Sequence, residues 1–368
     1  MERGFLFVGD PLADAVIAEA EQLGAGGRRL LEQGLTDGLA SLQAPPPAVK
    51  ALLQQLEAQP DGAEPEGAGS HSAGSDSAGL SSALPSDLAD GDRATQAIPP
   101  PWDVVAFAVS MMYVYASPPI ARVLAYTGRL TADAPRRLSE TGAWRSRAVL
   151  PGGLLPGAPG YVATARVRLM HARVRAMALR DGWDTERRGS PINQVDLART
   201  WLAFTIVPFG CLSEVIGIGL SDAEERQLYR YWRHIGRLLG VDDAIIADIR
   251  EHADAAELLA VLDKTAELPG DYSRELTAAL FDYATEGLAR IPELGMSSSA
   301  WRSVLGAITR ASLGDQVSDA LGISRTAPGD FLPPFTRAQV AARNAQIADP
   351  DEAEKARQRH IAIRRQRV

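Results

Sequence analysis

Apolar positions along this chain recur mostly at intervals of three and four. Leu12, Ala15, Val16, Ala20 and Leu23 follow that spacing, as do Val49, Leu52, Leu53 and Leu56. This periodicity is that of amphipathic helices with one face turned to a core. Residues 11–56 are therefore read as helical. Further apolar helical runs cover 102–116, 161–180, 194–219, 222–239, 242–249, 255–263, 272–290, 298–313 and 336–347. Asp222 at the start of D-A-E-E-R and Gly240 after R-H-I-G-R-L-L read as caps. Alternating strand patterns and hairpin dipeptides are scarce, so the predicted fold class is all-α.

Two stretches interrupt the pattern. Residues 57–100 include P-E-G-A-G-S-H-S-A-G-S-D-S-A-G and contain no Phe, Tyr or Trp. Such a composition buries too little apolar surface to offset its ordering entropy, which predicts a disordered insert closed by the prolines at 99–101. The Gly/Pro-dense L-P-G-G-L-L-P-G-A-P-G at 150–160 predicts a loop that delivers the chain into the next helix. The expected organisation is N-terminal helices packing on the core (1–56), the insert (57–100), a main helical domain (101–347) and a charged C-terminal tail (348–368). The tail runs from acidic to basic and reads as a solvated terminal helix or a fraying end.

Composition narrows the function classes. The 368 residues carry a formal net charge of −8, with 46% apolar and 23% charged residues. An acidic chain without a basic stripe is a poor nucleic-acid binder. No run approaches the roughly 18 apolar residues of a membrane span, and M-E-R-G-F-L-F-V-G-D-P lacks a signal-length apolar core. A cytoplasmic protein is expected. The single cysteine, Cys211, lies in an apolar run and reads as an inert thiol, since one cysteine makes neither a disulfide framework nor a cysteine zinc site. No phosphate loop, H-E-x-x-H pair or nucleophile elbow is present.

The candidate chemistry centres on R-V-R-L-M-H-A-R-V-R at 166–175. On a helix His171 shares a face with Arg168 and Arg175, one turn to either side. Thr164 and Ala178 extend that stripe with small side chains, Val167 and Val174 border it, and Arg166, Arg173 and Arg180 form a separate stripe that can face water. Flanking cations favour the neutral imidazole, which is the metal-ligating form. A haem needs one such nitrogen, cations for its propionates and apolar walls. The stripe can supply all three, with Arg168 and Arg175 as propionate partners; a satisfied core or salt-bridged histidine is the other reading. His234 in Y-W-R-H-I-G-R is a further candidate on the cofactor side, or a polar-face residue. In D-A-P-R-R-L-S-E-T-G-A-W at 133–144, Arg137, Glu140, Thr141 and Trp144 share a face. That face is either a polar cluster able to position dioxygen or a proton, or the side of an exposed Arg136–Glu140 ion pair. In S-P-I-N-Q-V-D-L-A, Asn193 and Gln194 read as capping and joining residues, and Asp196 as a partner for a nearby arginine.

These segments, in one order along the chain, resemble a known family. They are G-D-P-L-A-D (9–14), T-G-R-L with R-R-L-S-E-T (127–141), R-V-R-L-M-H-A-R-V-R, S-P-I-N-Q-V-D-L-A and Y-R-Y-W-R-H-I-G-R-L-L-G-V (229–241). The series is similar to the latex-clearing protein (rubber oxygenase) and MpaB-type oxygenase family. The resemblance implies a globin-like helical core with additional flanking helices, holding one haem b through His171 as proximal iron ligand. It also implies a distal R-x-x-K-T group, which reads R-L-S-E-T here: Arg137 and Thr141 match and Glu140 replaces the lysine. The implied activity is dioxygen-dependent oxidation or C=C cleavage of an apolar, isoprenoid-like small molecule. A non-catalytic haem or lipid-binding helical protein of the same fold is the alternative. Without a secretion signal, rubber itself is a poor substrate for this chain.

Overall fold

Helices joined by short turns make up the computed structural model, which describes residues 3–58, 86–127, 133–264, 266–325 and 332–366. No strand occurs among them, and the all-α expectation is borne out. Most of the Gly/Ser-rich stretch (59–85) and most of the T-G-R-L motif (128–130) lie outside the described residues.

The N-terminal half opens with α1 (Pro11–Asp37) and α2 (Pro47–Glu57), followed by α3 (Ser86–Ala97), α4 (Pro100–Ala116), α5 (Pro118–Tyr126) and α6 (Ala134–Ala148). After turns at 149–158 comes α7 (Pro159–Arg180), then α8 (Thr185–Arg188), α9 (Gln194–Ala203) and α10 (Ile206–Gly210). The remainder is α11 (Asp222–Leu238), α12 (Asp243–Ile246), α13 (His252–Asp263), α14 (Asp271–Ala289), α15 (Ser298–Leu313), α16 (Asp315–Ala320), α17 (Leu332–Ala348) and α18 (Pro350–Arg365). Trp102, Trp201, Trp232 and Trp301 are among the largest fully buried side chains.

The arginine-rich α7 owes its charge pattern to α1, which lies along it. Arg166 pairs with Glu32, Arg168 with Asp10, Arg175 with Asp14 and Arg180 with Glu21. The outer pairs, Arg166–Glu32 and Arg180–Glu21, are more than half exposed on both sides and add little to stability. Arg168 and Asp10 are both 4% exposed. α1 is capped by the same Asp10, whose carboxylate accepts from the Ala13 N–H at 3.2 Å.

Four expectations change. The insert expected to reach residue 100 contains α3, whose Leu88, Ala94, Thr95, Gln96 and Ala97 are buried. Composition misleads because small residues suit a helix held close to a large partner. A Cβ on Gly91 would lie inside van der Waals contact of the Tyr231 side chain of α11, so α11 supplies the bulk that α3 lacks. The charged tail is not a solvated end either. Ala356, His360 and Arg364 of α18 recur every four residues and are buried. His360 Nδ1 lies 2.8 Å from the Gln96 carbonyl. Arg364 donates to Gln96 Oε1 (3.0 Å), the Ile98 carbonyl (2.9 Å) and Asp103 (3.2 Å). Asp103 also takes Arg145 in two bonds of 2.6 and 2.9 Å.

The apolar run 194–219 is three segments rather than one helix: α9, α10 and a π-helical turn at Cys211–Ile216. Pro208 has no N–H to give to the residue four back, which interrupts the ladder near Phe204. Gln194–Ile216 is long and apolar enough to cross a membrane, and 67% of its most apolar window is buried inside the fold. The pair Leu88–Ala97 and Pro100–Ala116 passes the same test only when joined across a 100° bend. The α11 cap falls on Ser221, not Asp222: Ser221 and Glu224 form a capping box.

Candidate functional site

α7 carries His171 to one end of a small apolar cavity. Leu197, Thr200, Trp201 and Phe204 wall it from α9 and its C-terminal end, and Trp232, Leu239 and Val241 from α11 and the turn after it. The cavity measures about 20 Å³, room for about one water molecule. His171 Nδ1 is buried and has no hydrogen-bond partner. Burial, helped by the Arg175 guanidinium and opposed by Asp10, pushes the imidazole pKa down to about 4. Burial and the neighbouring guanidinium therefore favour the neutral ring at pH 7, with Nδ1 free of protein partners.

The neighbours of His171 are held differently from each other. Arg168 gives Nε and Nη2 to Asp10 (2.6 and 3.0 Å) and Nη1 to Gln55 Oε1 (2.5 Å) and the Arg237 carbonyl (3.5 Å). All its nitrogens are engaged, which corrects its reading as a propionate partner. Arg175 places Nε on Asp14 at 2.9 and 3.0 Å and Nη1 on the Ile192 carbonyl at 2.7 Å. Its Nη2 is buried without a partner and remains a donor for an anion one turn from His171. Thr164, read as a small residue that admits a flat group, instead accepts from the Trp144 indole at 3.0 Å. Trp144 stands edge-on to Phe204 (5.5 Å), which stacks on Trp232 (5.9 Å). Side chains occupy the space beside the stripe.

On α6, Glu140 is exposed and pairs with Arg136 at 2.7 Å. Of its two readings the structure shows the exposed ion pair, and Glu140 is not among the residues that line the cavity. Thr141 is half-buried and gives its hydroxyl to the Arg137 carbonyl (2.8 Å), while Arg137 donates to the Leu124 carbonyl at 3.3 Å. Neither is among the cavity's lining residues. His234 is buried on α11 outside that lining too; burial, aided by Arg237, pushes it down to about 4. Asn193 caps α9 through Oδ1 to the Val195 and Asp196 N–H groups. Gln194 joins segments, donating to the Gly9 and Gly240 carbonyls and accepting from the Asp242 N–H. Asp196 lies one helical turn before Thr200; burial pushes its carboxyl up to about 7 against the Asn193 N–H, Arg199 and Arg122.

Sequence spacing does not reveal Asp10 and Asp14 of G-D-P-L-A-D as partners of the α7 arginines. Their partners lie 158 and 161 residues away, beyond any local spacing rule. The walls from α9 and α11 were missed because they read as ordinary core.

The donor chemistry would suit a haem: one neutral imidazole with an unpartnered Nδ1, apolar walls and one free guanidinium nitrogen. At about 20 Å³ the cavity as it stands does not admit a macrocycle. No group of three or more His, Cys, Asp or Glu side chains suited to a metal ion occurs among the described residues; a haem iron asks the protein for fewer.

Comparison with known proteins gives a consistent picture. The family profile described as "ER-bound oxygenase mpaB/B'/Rubber oxygenase, catalytic domain" matches residues 102–344. A rubber oxygenase of Streptomyces sp. (strain K30) is 24% identical over 174 residues, 46% of this chain and 40% of that protein. The aligned region thus spans about two-fifths of the curated relative's length. The solved structure of latex clearing protein in its closed state superposes with a TM-score of 0.64 and 19% identity, over 97% of this chain and 91% of that one. At that identity the superposition speaks for the fold.

Proposed function

From the premise that this chain belongs to the mpaB/B'/rubber oxygenase catalytic-domain family, we propose that it is a haem b-dependent oxygenase of an apolar, isoprenoid-like small molecule. The observation that carries the proposal is His171: a neutral imidazole with a buried, unpartnered Nδ1 at the end of an apolar cavity. Bound haem would supply an iron able to activate dioxygen. His171 would hold that iron, and Arg175 Nη2 would meet a propionate. Arg168 and Arg175, clasped by Asp10 and Asp14, fix the helical turns on either side of the imidazole. Leu197, Trp201, Phe204 and Trp232 exclude water and favour an apolar substrate. Arg137 and Thr141 of α6, which match the family's polar motif, would be the groups that position dioxygen or a proton, with Glu140 held in an exposed pair with Arg136.

A second reading, a non-catalytic haem or lipid-binding protein of the same fold, draws on the exposure of Glu140 and the filled space around Phe204. Visible absorption of protein expressed with ample haem tests both. The expected result is a Soret band that disappears in His171→Ala while helical circular dichroism persists. Haem-free wild-type protein refutes the oxygenase and the haem-binding form of the second reading, and leaves lipid binding. With haem bound, dioxygen consumption on isoprenoid substrates separates enzyme from binder.

A further inference from the structure

A second cleft shares no lining residue with the His171 cavity. It is bounded by α14, α15 and the turn after α16 and holds about 310 Å³. That is within the range of small-molecule sites, roughly 300–1,000 Å³. We propose that this cleft binds a small amphiphilic carboxylate, with an apolar body on the floor and its head group at Arg302. The inference is independent of haem.

The floor is built from Phe281, Leu321 and Ile323, all buried, with Gly306 beside Ile323. A Cβ on Gly306 would come no closer than 3.7 Å to Ile323 Cγ2, so the fold leaves tolerable side-chain space empty there. Interiors are normally filled. Thr277 also lines the cleft, is 2% exposed, and its Oγ1 has no hydrogen-bond partner. Buried hydroxyls on helices usually bond the carbonyl four residues back, and Thr164, Thr285 and Thr309 do so here. Thr277 does not, and a ligand oxygen would satisfy it. The cation is at the rim: Arg302 lines the cleft and pairs with Asp282, their side chains 54% and 67% exposed. So exposed a pair contributes little, and a ligand carboxylate can take the place of Asp282 at small cost. An apolar floor, a buried hydroxyl and an exchangeable rim guanidinium together select an anion with a hydrocarbon body over a cation or a sugar.

Isothermal titration of the full chain with decanoate, decanol and decyltrimethylammonium tests the assignment. Saturable one-to-one binding of decanoate is expected, at least tenfold tighter than decanol, with no binding of the cation. Asp282→Asn should tighten decanoate several-fold and leave decanol unchanged, because only the carboxylate competes for Arg302. Gly306→Leu should abolish binding by filling the floor. Ala278→Trp, on the exposed wall of α14, should do the same without touching the core, so misfolding of the first variant does not decide the matter. His171→Ala should leave decanoate binding intact. No saturable decanoate binding, equal binding of all three amphiphiles, binding that survives Ala278→Trp, or loss in His171→Ala would each overturn the proposal.

Discussion

Replacing Asp10 with alanine probes the clasp that fixes the His171 helix. Asp10 and Arg168 are both 4% exposed and meet in two bonds of 2.6 and 3.0 Å. Without the carboxylate, the buried Arg168 charge keeps only Gln55 Oε1 and the Arg237 carbonyl. Breaking such a pair from one side typically costs about 3–5 kcal/mol. Losing the α1 cap at Ala13 adds about 1 kcal/mol. Asp10→Ala should therefore lose about 4–6 kcal/mol in equilibrium urea unfolding. Asp10→Asn, which retains a cap acceptor, should lose about 1 kcal/mol less. The decisive measurement is the double variant with Arg168→Met. If an uncompensated charge causes the loss, removing that charge restores most of it. A double variant as unstable as Asp10→Ala alone, or a single-variant loss below about 1 kcal/mol as for a solvated pair, would refute the reasoning. Gly240→Ala attacks the same clasp from the other side. Its backbone sits at φ +83, and a Cβ there would collide with Asp10 Oδ2 and crowd Arg168 Nε. It should destabilise for both reasons.

The remaining predictions concern other ionisable groups. Glu140→Ala removes one exposed ion pair and should change stability by no more than about 0.5 kcal/mol, with no change in the visible spectrum of haem-loaded protein; a lost Soret band would return Glu140 to the site. Burial opposes ionisation of Asp103, but Arg145 and Arg364 outweigh it and hold the carboxyl well below its usual 3.8. Its stabilisation is complete above about pH 4 and is lost as pH falls toward the folded value. Asp103→Asn should flatten that acid limb and, at neutral pH, cost about 3–5 kcal/mol by leaving two buried guanidiniums, read by urea unfolding at stepped pH. Asp92 is pushed by burial from 3.8 up to about 6, although it accepts from the Gly152 N–H. The folded state then binds the proton more tightly, so stability falls as pH rises from about 4 to about 6 and is level above. Asp92→Asn, neutral throughout, should exceed wild type at pH 7 by up to about 3 kcal/mol and match it more closely at pH 4. A wild-type stability that rises over that interval without any Asp92→Asn gain would refute this account.

Local periodicity was enough to settle the all-α class, the helices flanking the 150–160 loop and the division of the α7 arginines into stripes. These follow from 3.6 residues per turn, a rule that needs only neighbours in sequence. The neutrality of His171 was also legible, from cations at i−3 and i+4, although burial proves the larger cause. The occupants of each stripe were not legible. Arg168 looked available for an anion and is saturated by Asp10, whereas Arg175, of the same type on the same face, keeps one free nitrogen. Glu140 read either as a pocket group or as half of an exposed pair with Arg136, and the orientation of α6 gives the exposed pair. α3 looked unable to fold because the aromatic bulk against it belongs to α11, and α18 looked like a tail because its partners, Gln96 and Asp103, are more than 250 residues away. Burial and pairing are properties of surfaces brought together from distant parts of the chain, so they emerged only when the helices were packed.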